Sequence, residues 1–442
     1  MSGLFFLFGA CLPFFVVGQE LAPGLWTSPS IFIGIVIAAL SIITRGINSR
    51  FLVLIFLILA FALTSIGRHS TGTYVPSLLI LFSVLVPLCL PSVGSSGRKA
   101  LSRGFMWGLS ATILIVWIEI ATQIAGQQSI YIVVADFFVP LEARMIDHNF
   151  FVAYFRPNAA FLEPAHLAIY LVMALFVMDL IGSQFSIRLG GTTIVTLLFV
   201  GSLVGYVLLA GYLTARFLPM LHSFPVQFKK SNFKKRSIYV IFLFILSVFL
   251  IYFYFNGVAE LNVIVGRVLL VLDALQMGTL SGSEGSRVNT LQILFDYWRI
   301  EGLPGFLFGT GYGNASDWLA FNYRQLDVWA TVARGSVDSI IVGIFISTGA
   351  FGGVLYLIFA TVCLVRVGRD RFLGVFLFFL IINFATGFLI AYTIWHLFSV
   401  ILLLSPVNQL SSHLKDPTLP LTSDHLKDIL KLEKVPPNIM RN

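Results

Sequence analysis

Apolar stretches of about 15–20 residues recur through most of this 442-residue chain, and they constrain its fold more than any other feature. A helix of that length crosses a hydrocarbon core roughly 30 Å thick. Charged residues make up 11% of the chain, whereas ordinary globular proteins carry roughly 25%. The sequence therefore predicts an all-α fold, a polytopic bundle of transmembrane helices with a large helical loop outside the membrane.

The apolar spans can be located by hydropathy. They cover residues 2–18, 30–44, 51–67, 74–91, 104–124, 158–182, 190–218, 237–255, 338–365, 371–388 and 389–405. The run 190–218 is long for one helix and has Gly201, Ser202 and Gly205 near its middle, which predicts two short helices in its place. The total is about 11–12 membrane segments.

Basic residues predict the orientation of these spans. The loop 219–236 is rich in Lys and Arg and contains no acid, so the positive-inside rule places it in the cytoplasm. Basic turns at 98–103 and 366–371 are placed there too. Parity then puts both termini inside and the loops 125–157 and 256–337 outside. All nine lysines fall on the inner side, which is an independent check on this topology.

The chain divides by composition into one membrane domain, residues 1–405, and a short cytoplasmic tail, residues 406–442. Cys11, Cys89 and Cys363 all lie within apolar runs and predict no disulfide framework. The formal net charge is +8, but most basic clusters flank spans, so orientation explains them better than nucleic-acid binding does.

The outer loops retain seven arginines and no lysine. The positive-inside rule accounts for the missing lysines but leaves the arginines unexplained. A guanidinium group matches pairs of phosphate oxygens, which predicts binding of a lipid-linked phosphate or diphosphate. The alternative is pairing with acids of the same loops. That alternative is weakest for Arg156, at the mouth of a span, and for Arg287, in the polar stretch 281–287.

An acid and an imidazole lie three residues apart at the start of the sixth span, in the sequence Glu163-Pro164-Ala165-His166. At that spacing both side chains face the same side of a helix. Glu163 is interpreted either as an N-terminal cap or as a catalytic group. His166 is interpreted either as a hydrogen-bonded packing residue or as a catalytic group, and both alternatives stay open.

A glycine-rich segment at 309–314 reads Gly-Thr-Gly-Tyr-Gly-Asn. Its glycines allow close approach of a ligand to the backbone, and successive amides can cradle an anion. Asp338 stands at the outer mouth of the following span, which makes it a candidate acid. Within that span, Gly349, Gly352 and Gly353 favour helix packing over substrate contact.

The order of these motifs resembles the O-antigen polymerase and ligase superfamily of bacterial cell-surface glycan enzymes. The elements that carry the resemblance are Arg156, Phe161-Leu-Glu163-Pro164, Ser202-Leu-Val-Gly205, Arg287, the segment 309–313 and the span from Asp338 to Gly353. They cover about residues 150–365. The resemblance implies a metal-independent glycosyltransferase without a cofactor, acting outside the cytoplasmic membrane on glycans carried by undecaprenyl diphosphate.

The resemblance also implies roles for individual residues. Arg156 and Arg287 would bind the diphosphate, in agreement with the argument from arginine chemistry. Gly311, Tyr312 and Asn314 are further candidates for binding the diphosphate or the glycan. The implied partners are the lipid-linked oligosaccharide and membrane lipid, with a chain-length regulator protein and a flippase as further candidates.

Two positions distinguish the branches of this superfamily. Ligases usually carry His-Asn where this chain has Asp338-Ser339, and Asn-Pro where it has Glu163-Pro164. Both differences favour a polymerase. The catalytic base is then Asp338, Glu163 or His166, unless stabilisation of the leaving diphosphate makes a strong base unnecessary.

The leading hypothesis is therefore a polymerase that joins lipid-linked repeat units into O-antigen, capsule or exopolysaccharide at the bacterial inner membrane. The first alternative is a ligase or oligosaccharyltransferase that moves the glycan to another acceptor. The second is a transporter of lipid-linked glycans, which should show internal repeats and ionisable residues at the membrane midplane. No convincing repeat is visible, and Glu119 and His396 are the main midplane candidates.

Overall fold

The structure is a computed structural model that describes most of the apolar segments. The described residues are 1–14, 19–22, 25–65, 74–90, 93–124, 159, 161, 164–181, 184–200, 202, 205–206, 208–213, 290–312, 315, 318, 322, 339–364 and 391–404. All of them belong to one compact unit, Met1–Ser405. The second unit, Pro406–Asn442, lies outside the described residues, so the cytoplasmic tail stays a prediction.

The described part of the chain is predominantly α-helical, as predicted. Its helices are α1 Ser2–Cys11, α2 Pro29–Arg45, α3 Ser49–Ser65, α4 Tyr74–Leu85, α5 Ser95–Ile124, α6 Pro164–Ile181, α7 Gln184–Val200, α8 Thr290–Phe308, α9 Ile340–Leu364 and α10 Ala391–Leu404. Short 3-10 helices, Leu12–Phe14 and Val86–Cys89, follow α1 and α4. The all-helical prediction misses a two-stranded antiparallel hairpin, β1 Gln19–Ala22 and β2 Leu25–Thr27, in the first predicted outer connection.

All but one of the described helices correspond to predicted spans. The exception, α8, lies in the outer loop 256–337, which was itself predicted to be helical. One detail of the span prediction is wrong. Arg98, Lys99 and Arg103 were predicted to form a turn, but they lie inside the first three turns of α5. Helix-compatible residues fill this stretch without a proline, so the span and its basic flank continue as one helix of 30 residues.

Two of the described helices are long and apolar enough to cross a membrane, Ser95–Thr122 and Ile340–Cys363. Six shorter apolar helices of 10–17 residues accompany them in the described part of the chain. Length and composition thus identify two helices that are able to cross a membrane. The number of spans stays a prediction, and so do the identity of the membrane and the side on which each terminus lies.

Large apolar side chains lie on the outside of α2. Its buried face combines Ile31 and Ile37 with the small residues Ser30, Gly34, Ala38 and Ser41. Phe32 and Ile43 point away from the core and are 61% and 79% exposed. A helix at the surface of a water-soluble protein normally shows the reverse pattern. This exterior is suited to contact with apolar surroundings.

Helices α1 and α5 cross with their backbones in contact. A Cβ atom on Gly108 would lie 2.6 Å from the carbonyl oxygen of Ala10, and one on Gly104 would overlap the backbone of Phe6. Gly104 and Gly108 thus form a Gly-x-x-x-Gly seam of the kind that lets apolar helices approach closely. Because Phe6 pairs with Gly104 and Ala10 with Gly108, the two helices run parallel.

Residues around the start of α3 form hydrogen bonds with the end of the 3-10 helix after α4. Arg50 donates through Nη1 to the carbonyl oxygen of Leu88 at 3.0 Å and through Nη2 to that of Leu90 at 2.9 Å. The Asn48 amide donates to the carbonyl oxygen of Cys89. These bonds satisfy carbonyls that a helix leaves open at its end, so the guanidinium of Arg50 has a structural role.

Candidate functional site

The glycine-rich segment after α8 crosses α9 at a break in that helix. The amide of Thr310 donates to the carbonyl oxygen of Ile346 at 2.8 Å, and the amide of Gly311 donates to that of Ser347 at 2.8 Å. In a continuous helix these carbonyls would accept from amides four residues further along. Gly349 adopts φ 65° and ψ −169°, which interrupts α9 and opens the two carbonyls to the crossing segment.

Glycine is required on both sides of this crossing. Gly309 and Gly349 have φ angles of 70° and 65°, values that side chains disfavour. A Cβ atom on Gly309 would lie 2.5 Å from the carbonyl oxygen of Ser347. One on Gly349 would overlap the backbone of Leu307. The glycines therefore supply both a backbone conformation and the space for two main chains to touch.

Tyr312 joins the crossing to the end of α3. Its amide donates to Ser65 Oγ at 2.9 Å, and that hydroxyl donates to the carbonyl oxygen of Phe61 at 2.8 Å. The rings of Tyr312 and Phe61 lie 5.2 Å apart, and Tyr312 is buried. Residues about 250 positions apart are thus held together by one hydroxyl and one aromatic contact.

The amides of this segment are used within the protein. Gly309 donates to the carbonyl oxygen of Gly305 at 2.9 Å, so the four amides from Gly309 to Tyr312 all have protein acceptors. In this arrangement the four do not cradle an anion. Gly313 and Asn314 lie outside the described residues, and the assignment of Gly311, Tyr312 and Asn314 to substrate binding stays a prediction.

A buried carboxylate supports the segment that precedes α6. Glu119, in the last two turns of α5, is 2% exposed and accepts a hydrogen bond at 2.9 Å from the amide of Ala159. Ala159 has φ 49°, which is uncommon for a residue with a side chain. It lies between Arg156 and Glu163 in the sequence. Glu119 therefore holds the backbone between two predicted site residues.

The start of α6 is packed through Phe161. This side chain is 1% exposed, and its ring lies 5.2 Å from that of Tyr170, which is itself buried. The helix begins at Pro164, a residue suited to a first helical turn. His166 is half-buried in that turn. The structure thus fixes the helix that carries His166, while Glu163 lies outside the described residues.

Gly205, at the end of the sequence Ser202-Leu-Val-Gly205, makes a second contact with the same helix. Helix α7 ends at Val200, and helical residues resume at Gly205, in agreement with the predicted interruption of the run 190–218. The amide of Tyr206 donates to the carbonyl oxygen of Ser202 at 3.0 Å. A Cβ atom on Gly205 would lie 2.6 Å from Cβ of Ala168, two residues beyond His166. Glycine lets this turn reach α6.

Ser339 caps the N-terminus of α9. The amide of Val342 donates to its hydroxyl at 3.3 Å, and the amide of Gly343 donates to its carbonyl oxygen at 2.9 Å. Serine is among the preferred residues at such a cap. The pair Asp338-Ser339 therefore includes one residue with a structural role, and Asp338 lies outside the described residues.

Five predicted site residues fall outside the described part of the chain. They are Arg156, Glu163, Arg287, Asn314 and Asp338. The described candidates, His166, Gly311 and Tyr312, divide between the contact on α6 and the crossing on α9. Phe161 and Tyr312 belong to the same hydrophobic core.

Sequence reasoning missed two residues that organise this region, Ser65 and Glu119. Glu119 is recognisable in the sequence as an isolated acid in an apolar run. From the sequence alone it is interpreted only as a candidate midplane residue of a transporter. Its partner Ala159 is 40 residues further along and offered no local cue. Ser65 has no distinguishing pattern around it.

The sequence matches no protein-family model and no curated protein at a significant level. The functional argument therefore depends on the residues themselves and on the contacts that bring distant motifs together.

Proposed function

We propose that this chain is a multi-span membrane glycosyltransferase that polymerises undecaprenyl-diphosphate-linked repeat units into a cell-surface polysaccharide. The observation that carries the proposal is the crossing of Gly309–Tyr312 on the break in α9. Irregular backbone inside an apolar bundle is costly, and it is tolerated where protein covers it or where it lines a cavity. Such a break beside a predicted ligand-binding loop supports a functional site at this position.

Contacts between helix ends support the proposed membrane topology. Ser65 meets Tyr312 and Glu119 meets Ala159, and the topology places all four residues towards the outer face. Arg50 meets the end of the 3-10 helix after α4, which the topology places inside. The parallel pairing of α1 with α5 fits two spans that both leave the cytoplasm. The exposed apolar face of α2 fits lipid surroundings.

The proposed reaction transfers a growing glycan between two lipid carriers. A hydroxyl of the acceptor repeat unit attacks the anomeric carbon of the donor glycan, and the bond from that carbon to the diphosphate oxygen breaks. Undecaprenyl diphosphate leaves with the bonding electrons, and the hydroxyl proton passes to a base. Arg156 and Arg287 stabilise the negative charge that develops on the leaving group, which supplies most of the catalytic effect.

The base in this scheme is Asp338, Glu163 or His166. His166 lies on the helix that Gly205 contacts. Glu119 acts as a positioning residue for the segment around Ala159, since its carboxylate holds that backbone in place.

The test uses purified full-length protein in lipid vesicles with a synthetic undecaprenyl-diphosphate repeat unit from the native host. Product lengths are followed as a ladder on a gel for wild type, Arg156→Ala and Arg287→Ala. Arg188→Ala is the matched control, because Arg188 is exposed on α7 and is placed on the opposite side by the topology. We expect the rate of polymer formation to fall by a factor of about 100 or more in the two site variants, because each loses a charged group that stabilises the transition state.

The alternatives give different results in the same assay. Transfer of a single glycan to a second acceptor, without a ladder, would identify a ligase or oligosaccharyltransferase. Movement of the lipid-linked unit across the bilayer, without any transfer, would identify a transporter. An intact ladder in Arg156→Ala and Arg287→Ala would contradict the assignment of these arginines to the diphosphate.

A further inference from the structure

A stripe of basic and hydroxyl side chains runs along the first half of α5, at the end opposite the proposed glycan site. Residues at spacings of three and four share one helix face. The stripe contains Ser95, Arg98, Lys99, Ser102, Arg103, Met106, Trp107 and Ser110. It extends for about 22 Å along the helix. Cations and hydroxyls occupy its first half, and apolar side chains predominate in its second half.

This stripe forms one wall of a cavity of about 700 Å³. Leu180 and Ile181, at the end of α6, and Leu404, at the end of α10, form the other described walls. The volume is within the usual range of small-molecule sites, roughly 300–1,000 Å³. Among the described residues the lining contains no acid. The cavity therefore combines a cationic part with an apolar part.

Orientation in the membrane explains why cations lie at this end, but not why they line a cavity. Arg50, another cation on the predicted inner side, is committed to the backbone carbonyls of Leu88 and Leu90. Arg98 is half-buried beside the exposed Lys99, one turn after the N-terminus of α5. Gathering like charges is unfavourable unless an anion or solvent compensates them. The positive end of the α5 dipole lies in the same place.

We infer that this cavity binds an anionic phospholipid of the inner leaflet. The lipid phosphate contacts Arg98, Lys99 and Arg103, with Ser95 and Ser102 as hydroxyl donors. An acyl chain lies along Met106 and the apolar ends of α6 and α10. Trp107 is 70% exposed at the border between the two halves, and tryptophan favours the interface between lipid head groups and chains.

The amphiphilic character of the stripe favours a lipid over a free phosphate compound. A soluble anion would use the cations and hydroxyls but would leave the Met106 and Leu404 side of the cavity without a partner. A phospholipid matches both halves. This inference requires a membrane setting, but it does not depend on glycosyl transfer, so the two proposals can fail separately.

The test measures lipid retention by the full-length protein. Detergent-purified protein is exchanged into mixed micelles with phosphatidylglycerol or phosphatidylcholine, and bound lipid is counted by native mass spectrometry. We expect one phosphatidylglycerol to be retained at least about tenfold better than phosphatidylcholine. The variant Arg98→Gln/Lys99→Gln/Arg103→Gln should weaken retention roughly fivefold for each cation removed. Arg188→Gln is the control for loss of one inner cation.

A second variant keeps the charges and blocks the space. Ser102→Trp retains the three cations but places an indole ring in the space beside them, so it should abolish selective retention even if the triple variant does not fold. Competition with inorganic pyrophosphate distinguishes a phospholipid head group from a free phosphate compound as the bound anion. Selective retention that is lost in Ser102→Trp and resists pyrophosphate supports the lipid site. Equal retention of both lipids, unchanged retention in Ser102→Trp, or displacement by micromolar pyrophosphate would overturn it.

Discussion

Two backbone crossings hold this bundle together, and they use glycine for different reasons. At the crossing of α1 and α5, Gly104 and Gly108 sit in regular helix and only make room for a neighbouring main chain. Where the segment after α8 crosses α9, Gly309 and Gly349 make room and also adopt positive φ angles. There the segment after α8 donates two backbone hydrogen bonds to carbonyl oxygens of α9. The first crossing is a close contact between two regular helices. The second is an irregular structure that exists only because other contacts stabilise it over a continuous α9 helix.

The difference can be measured because the chain offers glycines with each property alone. Gly343, in α9, has an ordinary helical conformation, and a methyl group added to it would have no atom within 4 Å. Gly302, in α8, has φ 63° but is equally open. Gly104 is crowded but helical. Gly349 is crowded and also has a positive φ angle. Alanine substitutions at these four positions therefore distinguish the cost of steric overlap from the cost of an unfavourable backbone conformation.

Gly349→Ala should have the largest effect of the four. The methyl group would overlap the backbone of Leu307, and the φ and ψ of this residue fall in a region that only glycine adopts readily. We expect a loss of about 4 kcal/mol or more in the free energy of unfolding. Unfolding in SDS, followed by tryptophan fluorescence, measures it.

Gly343→Ala on the same helix is the control and should be neutral or slightly stabilising, since alanine favours helix. A small effect at Gly349 would mean that the crossing relaxes easily. In that case the break in α9 would not be a maintained feature, and the proposal for a site there would lose its main support.

Gly104→Ala tests crowding without a conformational requirement. Alanine gains about 1 kcal/mol in helix propensity over glycine, but its methyl group would overlap the backbone of Phe6. Overpacking of this kind costs about 3 kcal/mol, so we expect a net loss of roughly 2 kcal/mol. The same SDS titration applies, with Gly3→Ala on α1 as the control, because Gly3 has open space around it. Equal stability of both variants would show that α1 can move away from α5 at little cost.

Gly302→Ala tests conformation without crowding. Its φ of 63° and ψ of −156° belong to the glycine-only region, but no atom lies within 4 Å of an added methyl group. The expected loss is about 2 kcal/mol from backbone strain. If Gly349→Ala costs no more than Gly302→Ala, space contributes nothing at the crossing on α9, and the comparison between the two crossings would fail.

The sequence predicted the regular parts of this molecule better than its crossings. Helix positions follow from hydropathy and local propensity, so α2, α3 and α9 lie close to their predicted spans. The seam of Gly104 and Gly108 was readable as a Gly-x-x-x-Gly pattern but was overlooked. The pairing of Gly309 with Gly349 could not be read, because tertiary contact between segments 40 residues apart selects it.

Ser65→Ala should have the smallest effect, and it measures how strongly α3 stabilises the crossing on α9. Loss of the hydroxyl removes the acceptor of the buried Tyr312 amide, which costs about 1 kcal/mol. Ser399→Ala is the matched control, because Ser399 is a buried serine whose hydroxyl donates to the carbonyl oxygen of Trp395 in its own helix. Both serines make that local bond, so the difference between the variants isolates the bond to Tyr312. Hydrogen exchange at Tyr312 should quicken in Ser65→Ala alone, and equal protection in both variants would mean that Phe61 and the bonds to α9 hold the segment without α3.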